Sequence, residues 1–274
     1  YRLTRAKREI PCRVWQENEL DDLYIFSEYQ NQGIGSKIIK KCCTSVDEPV
    51  ILYVFIKNKR AVSLYKRHGF EIVKTVHNSR YIMKKENRKY YAAYEERYKT
   101  AHAHGVSWSS NVSTPVVMEV IDKYKINRNQ HILEIGCGEG RDSKIVLEHG
   151  FQLMATDISN EAIAYCKKIM PKYENNFCVL DCLSDELHEK FDFIFGIAVI
   201  HMLVLDEDRD SFYQFIRNHL TTDGIALICT MGDGEIERQS DISTAFTLQE
   251  RNHESGKMMV TGTSCRMVSW DTFE

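Results

Sequence analysis

Short apolar runs alternate with amphipathic segments along the second half of the chain. Residues 132–135, 151–156 and 191–197 are rich in branched and aromatic side chains and are bounded by polar residues or glycine. Such runs are typical of buried parallel strands. Residues 143–149 and 161–169 have helical spacing, and the second of these segments lies between a serine N-cap and a terminating proline. The alternation predicts an α/β fold with helices packed on a parallel sheet.

The same pattern continues with less clarity toward the C-terminus. We expect a third strand at 177–180 and a helix that includes residues 212–219. A turn over 221–224 then leads into a fifth strand at 225–230. Residues 232–256 are mostly polar, and we expect them to form loops over a ligand site.

The first third of the chain shows a separate α/β pattern. Residues 50–56 form a clear apolar strand, and Ala61, Leu64 and Tyr65 then share one face of a helix. A further strand is predicted at 23–27. This part of the chain and the part that follows it meet at KKENRK, a charged stretch without apolar side chains. Such a stretch is a natural domain boundary. We therefore predict one domain over residues 1–86 and another over 87–274.

Composition narrows the class of protein. The 274 residues carry a formal charge of −3, which argues weakly against a dedicated nucleic-acid binder. No run of 18 apolar residues is present, so we expect no transmembrane helix, and the N-terminus is too charged for a signal peptide. The nine cysteines include no CxxC pair. This usage favours reduced thiols in a cytoplasmic protein over a disulfide scaffold or a zinc site.

One glycine-rich segment carries the clearest chemistry. Gly136, Gly138 and Gly140 follow the strand at 132–135, and a helix follows them. Without a Cβ, these residues let backbone N–H groups approach a ligand closely. Asp157 lies at the end of the next strand, where a carboxylate can accept both hydroxyls of a ribose.

Two nucleotide cofactors compete for this motif. A nicotinamide site requires G-x-G-x-x-G, in which the third glycine packs helix against strand. Here the spacing is G-x-G-x-G, and Glu134 lies two residues before the first glycine. The segment resembles motif I of the class I S-adenosylmethionine (SAM) methyltransferases. A simple glycine-rich turn is the third interpretation.

The methyltransferase resemblance implies a Rossmann-like fold and a set of SAM contacts. It places backbone atoms of the glycine loop at the methionine end, Asp157 at the ribose and Ile158 on the adenine face. Asp181 and the backbone of Cys182 would hold the adenine edge, and the strand at 191–197 would meet methionine and substrate. The residues assigned to SAM are Glu134, Gly136, Cys137, Gly138, Asp157, Ile158, Asp181, Cys182, Gly196 and Ile197.

Asp181 and two further candidates in this domain have structural alternatives. Asp181 could instead cap the turn toward Ser184. His201 follows the fourth strand, where it is a candidate general base or substrate contact, or else a locally packed histidine. Residues 90–98 place apolar side chains on one helix face. In the resembled family such a helix often covers the SAM pocket, and the alternative is a helix that packs only on the core.

The first domain resembles the Gcn5-related N-acetyltransferases (GNAT fold). The motif Q-x-x-G-x-G at residues 30–35 follows the strand at 23–27 and precedes a helix predicted from Ser36. Successive backbone N–H groups at a helix N-terminus form an anion site suited to the pyrophosphate of acetyl-coenzyme A. The residues assigned to acetyl-coenzyme A are Gln30, Gln32, Gly33, Ile34, Gly35, Ser36 and Asn58.

The resemblance also implies a catalytic group in this domain. Tyr65, in a segment similar to N-x-x-A-x-x-L-Y-x-x-x-G-F, matches the family's general acid for the departing thiolate, although it could equally be a core aromatic residue. About 30 residues precede the loop, with strands predicted at 1–10 and 13–19. This is less than the family usually has, so we expect a shortened or incomplete domain, and no catalytic base is assigned.

The chain as a whole therefore resembles a GNAT-like domain joined to a class I methyltransferase. The run GCGEGRDS with its distal aspartate looks most like small-molecule methyltransferases of the thiopurine and tellurite-resistance type. We expect a SAM-dependent methyltransferase with a small-molecule acceptor. The resemblance of the first domain implies an acetyl-coenzyme A site and, with it, an N-acetyltransferase activity that would make the enzyme bifunctional. The alternative is a protein- or RNA-modifying methyltransferase whose first domain is a non-catalytic recognition or regulatory module. The pattern identifies neither the methyl acceptor nor the oligomeric state.

Overall fold

The computed structural model describes residues 2–5, 8–15, 18–23, 25, 29–30, 32–44, 49–85, 88–110 and 112–273. The chain divides into two compact units, Tyr1–Lys89 and Tyr90–Glu274. Among the described residues, no helix has the length and apolar character needed to cross a bilayer.

The first unit is built on a six-stranded sheet. Its strands are β1 (Arg2–Arg5), β2 (Arg8–Trp15), β3 (Glu19–Leu23), β4 (Val50–Phe55), β5 (Glu71–Val76) and β6 (Arg80–Lys85), in the order β1-β2-β3-β4-β6-β5. All neighbours are antiparallel except β3 and β4. Helices α1 (Ile34–Thr44) and α2 (Lys59–Arg67) follow β3 and β4. They contribute to one apolar core with Leu20, Leu52 and Met83.

The strands before residue 30 differ from the sequence prediction. Strand β3 begins at Glu19, four residues before the predicted start at Leu23, and its residues Glu19 and Leu20 pair with Ile51 and Leu52 of β4. Residues 24, 26 and 27 of the predicted strand lie outside the described residues. Two strands, β1 and β2, occupy most of the segment for which strands at 1–10 and 13–19 were expected.

The second unit has alternating strands and helices, as the apolar pattern predicts. In chain order its elements are α3 (Tyr94–Ala103), α4 (Pro115–Lys123), β7 (His131–Ile135), α5 (Arg141–Glu148), β8 (Gln152–Asp157), α6 (Asn160–Ile169), β9 (Phe177–Val179), β10 (Phe191–Ile197), α7 (Asp206–His219) and β11 (Leu220–Cys229). The sheet order is β11-β10-β7-β8-β9, and all pairs are parallel. From β7, the strands β8 and β9 are added on one side of the sheet, and β10 and β11 on the other. Open parallel sheets bind ligands beside such a change in strand order, at the carboxyl ends of the strands. The predicted Rossmann-like fold is confirmed.

Two local predictions in this unit are wrong. Residues 221–224 do not separate helix and strand but belong to β11, because Leu220 pairs with Phe191 before the register resumes at Ile225. A Cβ on Gly224 would lie 3.0 Å from the carbonyl oxygen of Phe191, so this irregular stretch passes close to β10. The segment 90–98 is not one α-helix, because Tyr90–Ala93 forms a 3₁₀ turn before α3 begins.

Short strands complete the C-terminal part. They are β12 (Arg238–Gln239), β13 (Leu248–His253), β14 (Gly256–Thr261) and β15 (Arg266–Met267), and helix α8 (Trp270–Phe273) follows them. Strands β13 and β14 form an antiparallel hairpin, and β12 pairs with β15. Part of the segment 232–256 is therefore strand, where only loops were expected.

Candidate functional site

A cavity of about 310 Å³ opens at the carboxyl edge of the parallel sheet. The segments that follow β7, β8, β9 and β10 supply its floor, and the segments that include and follow α3 supply further wall residues. Its walls combine apolar and aromatic side chains with carboxylates and one cation, Arg141, among the described lining residues. This mixture and position are typical of a small-molecule site.

The glycine loop forms one wall of the cavity, and its neighbours leave no space for side chains at Gly136 and Gly138. Gly136 and Gly138 adopt the left-handed backbone conformation, with φ of 71° and 54°. A Cβ on Gly136 would lie 2.4 Å from Cγ2 of Val199, and one on Gly138 would lie 2.8 Å from the Tyr98 hydroxyl. The backbone of Cys137 is held by its N–H, which donates to the Thr156 carbonyl at 2.8 Å. The loop can therefore present only backbone atoms to a ligand at these two positions.

Asp157 connects the glycine loop to the next helix. It is the last residue of β8, lines the cavity and is buried. Its carboxylate accepts the backbone N–H groups of Gly138 and Ser159, both at 2.8 Å. Burial raises the pKa of this carboxyl to about 6, against the two backbone hydrogen bonds, which lower it. The carboxylate is thus oriented before any ligand arrives.

Glu134 lies in the same wall but has a different environment. It is buried inside β7 and lines the cavity, and the Ser143 hydroxyl donates to its carboxylate. Burial raises the pKa of Glu134 to about 8. The acid of the motif thus ties the strand to α5 and can also contact a ligand.

Asp181 and Cys182 both line the cavity after β9, but Asp181 is also a turn residue. Its carboxylate accepts the N–H of Leu183 at 2.9 Å and the hydroxyls of Ser184 and Tyr91, each at 3.1 Å. The turn-capping alternative is therefore present in the structure. Because the side chain also borders the cavity, its role at an adenine stays a prediction.

Two residues predicted at this end of the sheet do not line the cavity. Gly196 lies inside β10, where a Cβ would meet Phe212 and Ile228, so the adjacent Ile197 provides the cavity contact. His201 is buried in a 3₁₀ turn, and only its neighbours such as Met202 reach the cavity. Burial, with Arg209 nearby, lowers the His201 pKa to about 4. These placements do not support His201 as a general base.

Several cavity residues were missed by the sequence analysis. They come from the segment after α3, from the end of the glycine loop and the start of α5, and from the turn after β10, namely Trp108, Ser109, Ser110, Glu139, Arg141, Asp142, Val199, Met202 and Leu203. The apolar face of residues 90–98 was predicted either to cover the SAM pocket or to pack only on the core. Its tyrosines at 91, 94 and 98 all line the cavity, as a covering segment requires.

The loop predicted to bind acetyl-coenzyme A lies at the start of α1. Gly33 has φ of 73°, and its carbonyl accepts the N–H of Lys37 at 3.1 Å. Ile34, Gly35 and Ser36 form the first turn of this helix, two residues earlier than predicted. The Gln30 side chain donates to the Ile25 carbonyl at 2.9 Å, and Gln32 and Gly33 are exposed. The conformation is a loop that leads directly into a helix N-terminus.

Asn58 and Tyr65 have structural roles in the same unit. The Asn58 side chain caps α2 by accepting the N–H of Ala61 at 3.1 Å. Tyr65 is 7% exposed and belongs to the apolar core, where its ring contacts Phe70 edge to face at 5.8 Å. The core-aromatic alternative therefore describes Tyr65, and its function as a general acid stays a prediction.

Potential metal ligands and thiols were located among the described residues. Within them, no group of three or more histidine, cysteine, aspartate or glutamate side chains is arranged to hold a metal ion. The cysteines at 137, 166, 178, 182, 229 and 265 are free thiols, and the first two are buried.

Comparisons with known proteins agree with the two resemblances. Residues 133–226 match the family model of a methyltransferase domain, and residues 7–72 match that of an acetyltransferase (GNAT) domain. A probable S-adenosyl-L-methionine-dependent methyltransferase, TehB of Haemophilus influenzae, is 26% identical over 118 residues. These cover 42% of this chain and 41% of that protein. The thialysine N-epsilon-acetyltransferase of Bos taurus is 48% identical over 54 residues, which cover 18% of this chain and 32% of that enzyme.

Solved structures with a similar arrangement include a SAM-dependent methyltransferase from Clostridium acetobutylicum. It is 15% identical, with a TM-score of 0.45, and the match covers 68% of this chain and 85% of that one. The sheet order of the second unit agrees with the match of residues 133–226 to a methyltransferase domain. The segment similar to an acetyltransferase (GNAT) domain precedes it in the chain. The chain spans less than half the length of the curated relatives it matches.

Proposed function

We propose that this chain is a SAM-dependent methyltransferase that acts on a small-molecule acceptor. The observation that carries the proposal is the geometry of Asp157. This carboxylate is buried at the cavity wall and is held between the N–H groups of Gly138 and Ser159. Its remaining lone pairs suit the two hydroxyls of a ribose. The backbone of Gly136–Gly138 and the side chains of Ile158 and Asp181 extend the same wall toward the methionine and adenine ends.

SAM brings an activated methyl group to such a site, bound to a sulfonium that leaves as a neutral thioether. The chain then has to align the acceptor with the methyl carbon and exclude water. Tyr94, Trp108 and Met202 contribute apolar surface for that purpose. Because His201 lies outside the cavity, an acceptor that is already deprotonated or carries a free lone pair is favoured.

The size and charge of the cavity favour a small acceptor over a protein or RNA. A macromolecular substrate would require an accessible basic or extended groove beside the SAM site. Among the described lining residues Arg141 is the one basic side chain, and the other charged groups are carboxylates such as Glu139 and Asp142. The name of the TehB relative supports SAM as cofactor but does not identify an acceptor.

Calorimetric titration of SAM into the purified chain tests the proposal. We expect one-site binding to the wild type and a loss of at least about 100-fold in affinity for Asp157→Ala, because charge-assisted hydrogen bonds to the ribose are removed. Asp157→Asn distinguishes lost charge from lost packing. Asp223→Ala, at an exposed position in β11, is the control and should bind as the wild type does. Wild-type affinity in Asp157→Ala would overturn the assignment of the ribose site.

We infer a second ligand, acetyl-coenzyme A, for the first unit. The left-handed Gly33 and the first turn of the eleven-residue helix α1 can offer backbone N–H groups to a pyrophosphate. The match to an acetyltransferase that acts on thialysine supports an acyl-coenzyme A ligand. Acetyl transfer itself requires a base that has not been identified, so binding is the first property to measure.

The location proposed for the chain is the cytoplasm. Six free thiols in the described part of the chain, at 137, 166, 178, 182, 229 and 265, are consistent with a reducing compartment. Fractionation of cells that express the tagged protein would test this directly, and recovery outside the cytoplasmic fraction would contradict it.

A further inference from the structure

His102 lies between two carboxylates at the end of α3. Its Nε2 is 2.8 Å from Oε1 of Glu139, and its Nδ1 is 2.7 Å from Oε1 of Glu161. Glu139 directly follows Gly138 in the glycine loop, and Glu161 belongs to the first turn of α6. The histidine side chain is 13% exposed. One imidazole thus joins three elements around the cavity.

Both nitrogens of the imidazole lie at hydrogen-bond length from carboxylate oxygens. A single histidine therefore connects two acidic side chains of different elements. The ring is also stacked on Tyr165 at 4.4 Å between centroids and lies nearly parallel to Tyr98 at 6.2 Å. These two aromatic rings help to fix the orientation of the imidazole.

Glu139 extends this connection to the segment after α3. Besides His102, its carboxylate accepts the backbone N–H groups of Trp108 at 2.8 Å and Ser109 at 2.6 Å, and the Ser109 hydroxyl at 2.6 Å. Trp108 and Ser109 line the cavity. Loss of the Glu139–His102 pair would therefore loosen both α3 and this segment from the glycine loop.

The rest of the same helix face contacts the same two elements. Glu95 accepts the Ser159 hydroxyl at 2.6 Å and the N–H of Glu161 at 3.0 Å. Tyr98 packs over Gly138. Residues 95, 98 and 102 are spaced three and four apart and so share one face of α3. That face is fixed to the SAM-binding wall along its whole length.

We propose that His102 is a positioning residue that clamps α3 and the Trp108 segment closed over the SAM cavity. It acts through Glu139 and Glu161 and does not touch the reacting atoms. The clamp slows the release of SAM, and it rests on the SAM site proposed above.

The test compares SAM binding and SAM dissociation in the full chain and its variants. His102→Gln should release SAM about tenfold faster and bind it correspondingly more weakly, because the contacts of the imidazole with two carboxylates are lost. Glu161→Gln keeps an oxygen acceptor for His102 and should give a smaller change. His104→Gln is the matched control, since His104 is exposed and its Nδ1 contacts the Thr100 carbonyl in the last turn of α3. It should match the wild type within twofold.

Amide hydrogen exchange over Tyr94–Ala103, measured without ligand, separates the clamp from the SAM site itself. His102→Gln should raise exchange in this helix while exchange in β7 and β10 is unchanged, a split that a general loss of stability would not produce. Wild-type release and wild-type exchange in His102→Gln would overturn the clamp, whatever the Asp157 variants show. If the wild type binds no SAM, the SAM proposal fails, and the exchange measurement still decides whether His102 holds α3 closed.

Discussion

Burial is the main cause of the shifted pKa values of single side chains in this structure. Asp157 and Glu134 are carboxyls whose pKa values burial raises, to about 6 and about 8. His201 is a base whose pKa burial lowers to about 4. The two kinds of group therefore affect the pH dependence of stability in opposite directions. The contribution of each group to the pH dependence of stability is therefore measured by comparing the wild type with a variant that lacks that group.

His201 provides a pH-dependent stability that can be measured in this way. Its pKa is about 4 in the fold and 6.5 in its usual environment, so the neutral ring favours folding above pH 6.5 and this contribution is lost as the pH falls toward 4. Between pH 7 and pH 5 the loss is about 2 kcal/mol. Urea unfolding of wild type and His201→Gln at both pH values should show the difference between the two proteins shrinking by this amount at pH 5. An unchanged difference would show that the histidine titrates normally.

At the scale of elements, the residues that surround the glycine loop restrict it as much as its own backbone conformation does. Gly136 faces Val199, and Gly138 faces Tyr98, residues that are far away in the chain. The left-handed backbone at both positions explains a preference for glycine, and the close neighbours explain why even alanine does not fit.

Gly136→Ala and Gly105→Ala form a matched pair that separates these two effects. Both glycines have positive φ, of 71° and 75°, but a Cβ on Gly105 meets nothing within 4 Å. We expect Gly105→Ala to lower the free energy of unfolding by about 1–2 kcal/mol through backbone strain alone. Gly136→Ala should lose about 1–3 kcal/mol more through the clash with Val199. Equal losses in chemical denaturation would mean that the loop can move away from β10.

Elements with strong local signals could be predicted from the sequence. Strand β10 was predicted with its observed bounds, and Ser159 caps α6 as expected. Residues 221–224 predict a turn but belong to β11, because Leu220 and Ile225 on either side of them pair with β10. Strand β3 begins before its predicted start, because Leu20 pairs with Leu52. Strand pairing over long sequence distances overrides local propensity in both cases.

At the scale of the whole molecule, each proposed ligand site lies within one unit. The SAM cavity is lined by residues of the second unit, and the predicted acetyl-coenzyme A loop belongs to the first. The sequence could indicate both sites because each depends on a short contiguous motif. It could not place His201 or reveal the contact between His102 and Glu139, because these depend on how distant segments pack.

Separate titrations of SAM and acetyl-coenzyme A should therefore give two one-site isotherms. Asp157→Ala should remove only the SAM isotherm. Gly33→Val should remove only that of acetyl-coenzyme A, because a branched side chain is strained at φ of 73° and would obstruct the loop. Binding of SAM alone would leave the first unit without an acetyl-coenzyme A site. Loss of both isotherms in either variant would indicate a general folding defect.

Trp108 gives the cavity an intrinsic optical signal. Its indole lines the cavity, stacks on His253 at 5.5 Å between centroids and has the Arg97 guanidinium 4.8 Å from its ring. The chain has two other tryptophans, one in β2 and an exposed one at position 270. A ligand that enters the cavity changes the surroundings of the indole at 108, so its fluorescence should report occupancy in real time. Candidate acceptors can thus be screened without a label and before any product is known.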